Sequence, residues 1–88
     1  MSMAKSKAKE WCVWSVELNK VALTEIKGHW GFTYPEAKSH AADFRKFYGG
    51  NFEVRVKPEN YDEDEDCIGE IRILHSRFGK DWINSINR

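Results

Sequence analysis

Cysteine and proline are scarce in this chain of 88 residues, with two of each, and no apolar run approaches the length of a membrane span. The opening Met-Ser-Met-Ala-Lys-Ser-Lys-Ala-Lys-Glu holds no apolar signal region, which argues against a secreted, disulfide-stapled scaffold. Cys12 and Cys67 allow one bridge by arithmetic, but the expectation is a soluble cytoplasmic protein with reduced thiols. An excess of charge is also missing. Lys+Arg total 14 and Asp+Glu total 14, so net charge gives no global argument for nucleic acid or for a membrane.

Chemical motifs are absent as well. There is no Gly-x-Ser-x-Gly, no phosphate loop and no dinucleotide fingerprint. Cys12, Cys67, His29, His40 and His75 show neither Cys-x-x-Cys nor His-x-x-x-His spacing, so a zinc site is not expected. Asp62, Asp64 and Asp66 match positions 1, 3 and 5 of a calcium loop, but Cys67 stands where that loop needs Gly and Ile73 where it needs Glu. The expectation is a non-enzymatic chain with no metal and no cofactor.

What the chain does have is concentrated in residues 33–57. Thr33 and Glu36 stand in capping-box spacing, Phe32 and Ala37 in staple positions, and Pro35 in the first turn, where its missing N–H costs nothing. Ala37, Ala41, Phe44 and Tyr48 then make one helical stripe, flanked by His40 and Phe47, with Glu36, Ser39, Asp43 and Lys46 opposite. Gly49-Gly50 supplies the stop. Phe52, Val54 and Val56 alternate with Glu53, Arg55 and Lys57, which reads as a strand with one face in water, and Pro58 ends it.

The other elements follow from this unit. Residues 11–18 predict a strand with Cys12, Trp14, Val16 and Leu18 on one face and Trp11, Val13, Ser15 and Glu17 on the other. Residues 21–27 suit either a strand or a helix, and the strand is favoured because it gives the first one a partner. Residues 28–31 are a loop. Residues 67–79 are also ambiguous, but the acids before them, Arg72 and Arg77 late in the run, and Gly79 at its end favour a helix with Ile68, Ile71, Leu74, His75 and Phe78 inward. A short last helix turns Trp82, Ile83 and Ile86 inward. The expected fold is α+β: a small three-stranded antiparallel sheet (β-β-α-β) with a central amphipathic helix and a C-terminal helical pair. Its core would take in Trp14, Val16, Phe44, Val54, Ile71 and Phe78. Residues 1–10 read as a disordered basic leader and residues 11–88 as a single domain.

Residues 65–86, with acids, an apolar helix, Gly79-x-x-Trp82 and a second short helix in order, resemble the first two helices of a Myb/SANT repeat. The family's first Trp has no counterpart in register, Tyr61 being the nearest ring, and the sequence reaches Arg88 without a third helix. The family's DNA binding therefore does not carry over. In style the chain is short, aromatic-rich and motif-free, which resembles the small host-directed proteins of bacteriophages and implies an inhibitor.

Charge is segregated along the chain. Residues 1–57 carry ten basic and six acidic side chains, residues 58–88 four and eight. Aromatic residues make up 14 %, enough to leave some rings at the surface. The first functional expectation is a protein-binding module that docks on a basic, nucleic-acid-binding partner surface. Its contact residues would be Tyr61, Asp62, Glu63, Asp64, Glu65, Asp66 and Trp30. The alternative is a small nucleic-acid-binding domain using the leader with Arg45, Lys46, Arg55 and Lys57. No membrane partner is expected.

Overall fold

The computed structural model describes residues 9–25 and 31–86. The elements are β1 (Trp11–Ser15), β2 (Lys20–Leu23), α1 (Tyr34–Tyr48), β3 (Phe52–Val56), a 3-10 turn (Glu63–Glu65), α2 (Ile68–Phe78), a second 3-10 turn (Gly79–Asp81) and α3 (Trp82–Ile86). The three strands form one antiparallel sheet in the order β2-β1-β3, so the expected α+β architecture is the observed one. The favoured strand over 21–27 is present as Lys20–Leu23; its last two residues lie outside the described ones. Residues 67–79 form a helix, as the charge placement argued.

α1 starts as its local sequence requires. Glu36 N–H donates to Thr33 Oγ1 at 3.4 Å and Thr33 N–H donates to Glu36 Oε1 at 2.9 Å, which closes the capping box. Ala37, Ala41 and Tyr48 are buried against Val13 and Phe52, with Phe44 half-buried and its ring edge-on to those of Tyr48 and Phe52. The C-terminal pair is pinned to the end of this helix: Trp82 is fully buried and its indole N–H donates to Tyr48 O at 2.8 Å.

The faces of β1 are exchanged relative to expectation. Val13 and Ser15 point into the helix-covered core with Trp11 packed beside them, whereas Trp14 lies on the other face and is half-buried. Val16 is 39 % exposed because β1 ends at Ser15 and residues 16–19 form the turn, with Asn19 left-handed at φ 56. Phe78 is also outside the core at 48 % exposure: the chain reverses at Gly79, and Trp82 takes the space beside Tyr48.

Two glycines in this frame should respond oppositely to a methyl group. Gly50 is left-handed at φ +86, and a Cβ there would come within 3.1 Å of Glu17 Oε1 and Ile83 Cδ1. Gly50→Ala is expected to cost about 1–2 kcal/mol from the backbone alone. Gly69 sits early in α2, where a Cβ would meet nothing within 4 Å. Gly69→Ala should stabilise by about 0.5–1 kcal/mol. Denaturant melts of the two variants check both signs, and a stable Gly50→Ala protein would refute this turn geometry.

Candidate functional site

After Pro58 the chain crosses the sheet face that α1 does not cover. It travels from the β3 side to β2, where Cys67 N–H donates to Val21 O at 2.9 Å. The crossing is fixed by residues that the sequence presents as one undivided acidic run. Asp62 closes the turn, its Oδ1 accepting from Asp64 N–H at 3.1 Å and its carbonyl from Glu65 N–H at 2.8 Å. Asp66 turns inward, and its Oδ2 accepts from Thr24 N–H at 2.8 Å and Thr24 Oγ1 at 2.9 Å. Thr24 is fully buried, so this carboxylate satisfies polar groups that would otherwise be costly to bury. Asp62, Asp64 and Glu65 remain exposed.

Between this crossing and the sheet lies an open cleft of about 480 Å³, lined by Trp14, Asn19, Lys20, Val21, Pro58, Tyr61 and Glu65. Trp14 is held in place by Arg55, whose guanidinium carbon is 4.3 Å from the indole centroid and whose Nη2 donates to Glu53 Oε1 at 2.7 Å. Burial, and then the charge of the neighbouring Asp66, push the Tyr61 phenol well above its usual range. Tyr61 is therefore neutral at every physiological pH. The cleft pairs two aromatic walls and a proline with one carboxylate, Glu65, and one ammonium, Lys20. The apolar walls suit an extended aliphatic stem, and the lining residues hold no nucleophile–base pair.

The structure thus brings Tyr61 and Glu65 into one cleft and sets Asp62 and Asp64 on the exposed turn beside them. Trp30 lies outside the described residues, as does the Glu63 side chain and the basic leader through residue 8. Trp14 and Pro58 were not among the candidates read from sequence. The signal for Trp14 was present: Trp11-Cys12-Val13-Trp14 is an unbroken apolar run, the pattern of a strand covered on both faces.

The alternative set is dispersed. Arg45 Nη1 donates to Phe52 O at 2.7 Å on the edge of β3. Lys46 is exposed on α1, and Arg55 stacks on Trp14 on the opposite face of the sheet. Lys57 Nζ is 3.4 Å from Glu10 Oε1, and Lys57 N–H donates to Glu10 O at 2.8 Å. Among the described residues, no group of three or more His, Cys, Asp or Glu side chains is arranged to hold a metal ion. None of the described helices is long and apolar enough to cross a membrane.

Fold and site together define a small α+β domain with an aromatic cleft beside an acidic turn. The chain matches no family model, no curated protein and no solved structure.

Proposed function

We propose that this chain is a non-enzymatic, cytoplasmic protein-interaction module, an inhibitor of the small bacteriophage type. It docks on a basic partner surface that otherwise holds nucleic acid. The observation that carries the reading is the placement of the acidic turn at the mouth of the Trp14–Pro58–Tyr61 cleft. Asp62, Glu63, Asp64 and Glu65 supply a dense negative charge that steers a Lys/Arg-rich surface and loses strength with salt. The cleft supplies the desolvated apolar anchor that charge alone lacks.

The test replaces Asp62 and Asp64 with Asn and Glu63 and Glu65 with Gln. Asp66 stays, because it holds Thr24. Partners captured from a host lysate by the wild type are re-measured against this variant and against Trp14→Ala. The association rate is expected to fall about tenfold or more in the charge variant and the dissociation rate to rise in Trp14→Ala. Unchanged rates in both folded variants would sink the docking site. Retention on heparin or DNA with a steep salt slope, lost on mutation of Arg45, Lys46, Arg55 and Lys57, would replace the proposal with the nucleic-acid reading.

A further inference from the structure

The far edge of β3 is open. Its ladder to β1 runs through odd-numbered residues: Lys57 N–H donates to Glu10 O at 2.8 Å, and Val16 N–H donates to Asn51 O at 3.1 Å. Antiparallel pairing alternates, so Phe52, Val54 and Val56 turn their N–H and C=O groups away from β1. The Arg45 hydrogen bond to Phe52 O agrees with that orientation, since it arrives from outside the sheet. β3 ends the strand order, and among the described residues no strand pairs with its outer side. Of the devices that blunt such an edge, the charges of Glu53 and Arg55 and the Arg45 cap on Phe52 O are present, but a bulge and a proline are not. The β1–β3 register is regular over its whole length, with no bulge, and no proline stands between Phe52 and Val56.

The edge is complementary to itself. Turned antiparallel onto a second copy about Val54, it sets Val54 opposite Val54, Phe52 opposite Val56, and Glu53 opposite Arg55 at both ends. The outward-turned residues then become the hydrogen-bonded pairs, each exchanging both N–H···O=C bonds. The Phe52 carbonyl keeps Arg45 on one lone pair and offers the other to the seam. On the helix side, Val56, 49 % exposed in the single chain, lies opposite Phe52 of the second copy, whose own side chain is already buried. The neighbouring Trp11–Tyr34 contact, with centroids 4.9 Å apart, extends that apolar strip.

We propose that the outer edge of β3 pairs antiparallel with β3 of a second copy of this chain, giving a two-fold symmetric dimer with one continuous six-stranded sheet. The seam lies at the sheet edge and shares Arg55 with the Trp14 wall of the cleft, but it does not rest on the docking reading. The outward-turned groups recur at every second residue, so the competing registers are two-residue slips; these set Glu53 opposite Glu53 or Arg55 opposite Arg55, and opposite charge selects the Val54-centred register over both.

The test is sedimentation and light scattering of the purified chain from about 1 μM to about 1 mM, concentrations that span weak to moderate dimers. A concentration-dependent dimer is expected. Glu53→Arg sets Arg opposite Arg at both ends and should weaken association about tenfold, while Glu53→Arg with Arg55→Glu restores the pairing. Val54→Pro removes an N–H that points out of the sheet, so it should weaken the dimer at least as much while the internal ladder persists. Circular dichroism checks the fold of each variant, and if Val54→Pro does not fold, the charge series alone decides. A monomer across the whole range overturns the proposal. So does a dimer that ignores Glu53→Arg, or one that the double exchange fails to restore. Uptake of a foreign extended segment by a monomeric chain would assign the edge to a different partner.

Discussion

Trp82→Ala is expected to lower the free energy of unfolding by about 3–5 kcal/mol, a large share of the roughly 5–15 kcal/mol that holds a small domain folded. Trp82 is the largest fully buried side chain among the described residues. Its ring shares a core cluster with Val13, Phe52, Tyr48 and Ile71, which come from the sheet, α1 and α2. Truncation would open a cavity where those elements meet, and the space cannot collapse without moving one of them. A polar loss adds to the cavity. The indole N–H donates to Tyr48 O at 2.8 Å, so its removal leaves a helix-end carbonyl buried without that donor. Trp82→Phe separates the two terms: it keeps most of the apolar volume, loses the hydrogen bond, and should cost about 1–2 kcal/mol. Phe44→Ala, at a half-buried position on the α1 stripe, should fall below Trp82→Ala. Urea melts of the three variants give the ranking. A Trp82→Ala protein within about 1 kcal/mol of wild type would mean that the C-terminal pair does not close the core.

The elements that sequence reasoning placed well are those whose signals are local. The α1 boundary follows from Thr33 and Glu36, three residues apart, and its end from adjacent glycines. The ends of α2 follow from charge order and Gly79. The elements it placed poorly depend on groups far apart in the chain. Asp66 belongs to Thr24, 42 residues away, so nothing within residues 62–66 distinguishes it from its exposed neighbours. Glu17 accepts from Asn51 across 34 residues and Glu10 meets Lys57 across 47, which ties charges that composition counts as free surface. The inverted faces of β1 have a different cause. Alternation cannot orient a strand that is apolar at four successive positions, and such a strand carries information about two-sided burial instead. That reading places cover on both faces of β1, and the second cover is the segment that builds the cleft.

Alkaline pH should destabilise the protein through its two thiols. Cys12 and Cys67 are free and buried. Burial, and then the Asp66 carboxylate, push the Cys12 thiol from 9.0 to about 11, against smaller opposing effects of Arg55 and Lys57. Burial, and then Glu70, push Cys67 from 9.0 to about 11, with Lys20 opposing. Both folded values lie above the unfolded ones, so the stabilisation from keeping these thiols protonated is complete below pH 9.0. It is lost as pH rises toward 11, because the unfolded chain releases two protons that the folded chain retains. Within that window stability should fall steadily with pH, by an amount on the order of a few kcal/mol in total, with Tyr61 adding to the slope once an unfolded phenol ionises. Melts from pH 7 to pH 11 measure the slope directly. The Cys12→Ala, Cys67→Ala double variant should flatten it, leaving the Tyr61 contribution, which Tyr61→Phe removes in turn. The same burial makes both thiols slow toward a disulfide reagent at neutral pH, with labelling governed by opening of the fold and accelerated by urea. Immediate labelling of either cysteine in the native protein, or a flat stability profile through pH 11, would contradict the burial of Cys12 beneath the 58–66 crossing and of Cys67 at the start of α2.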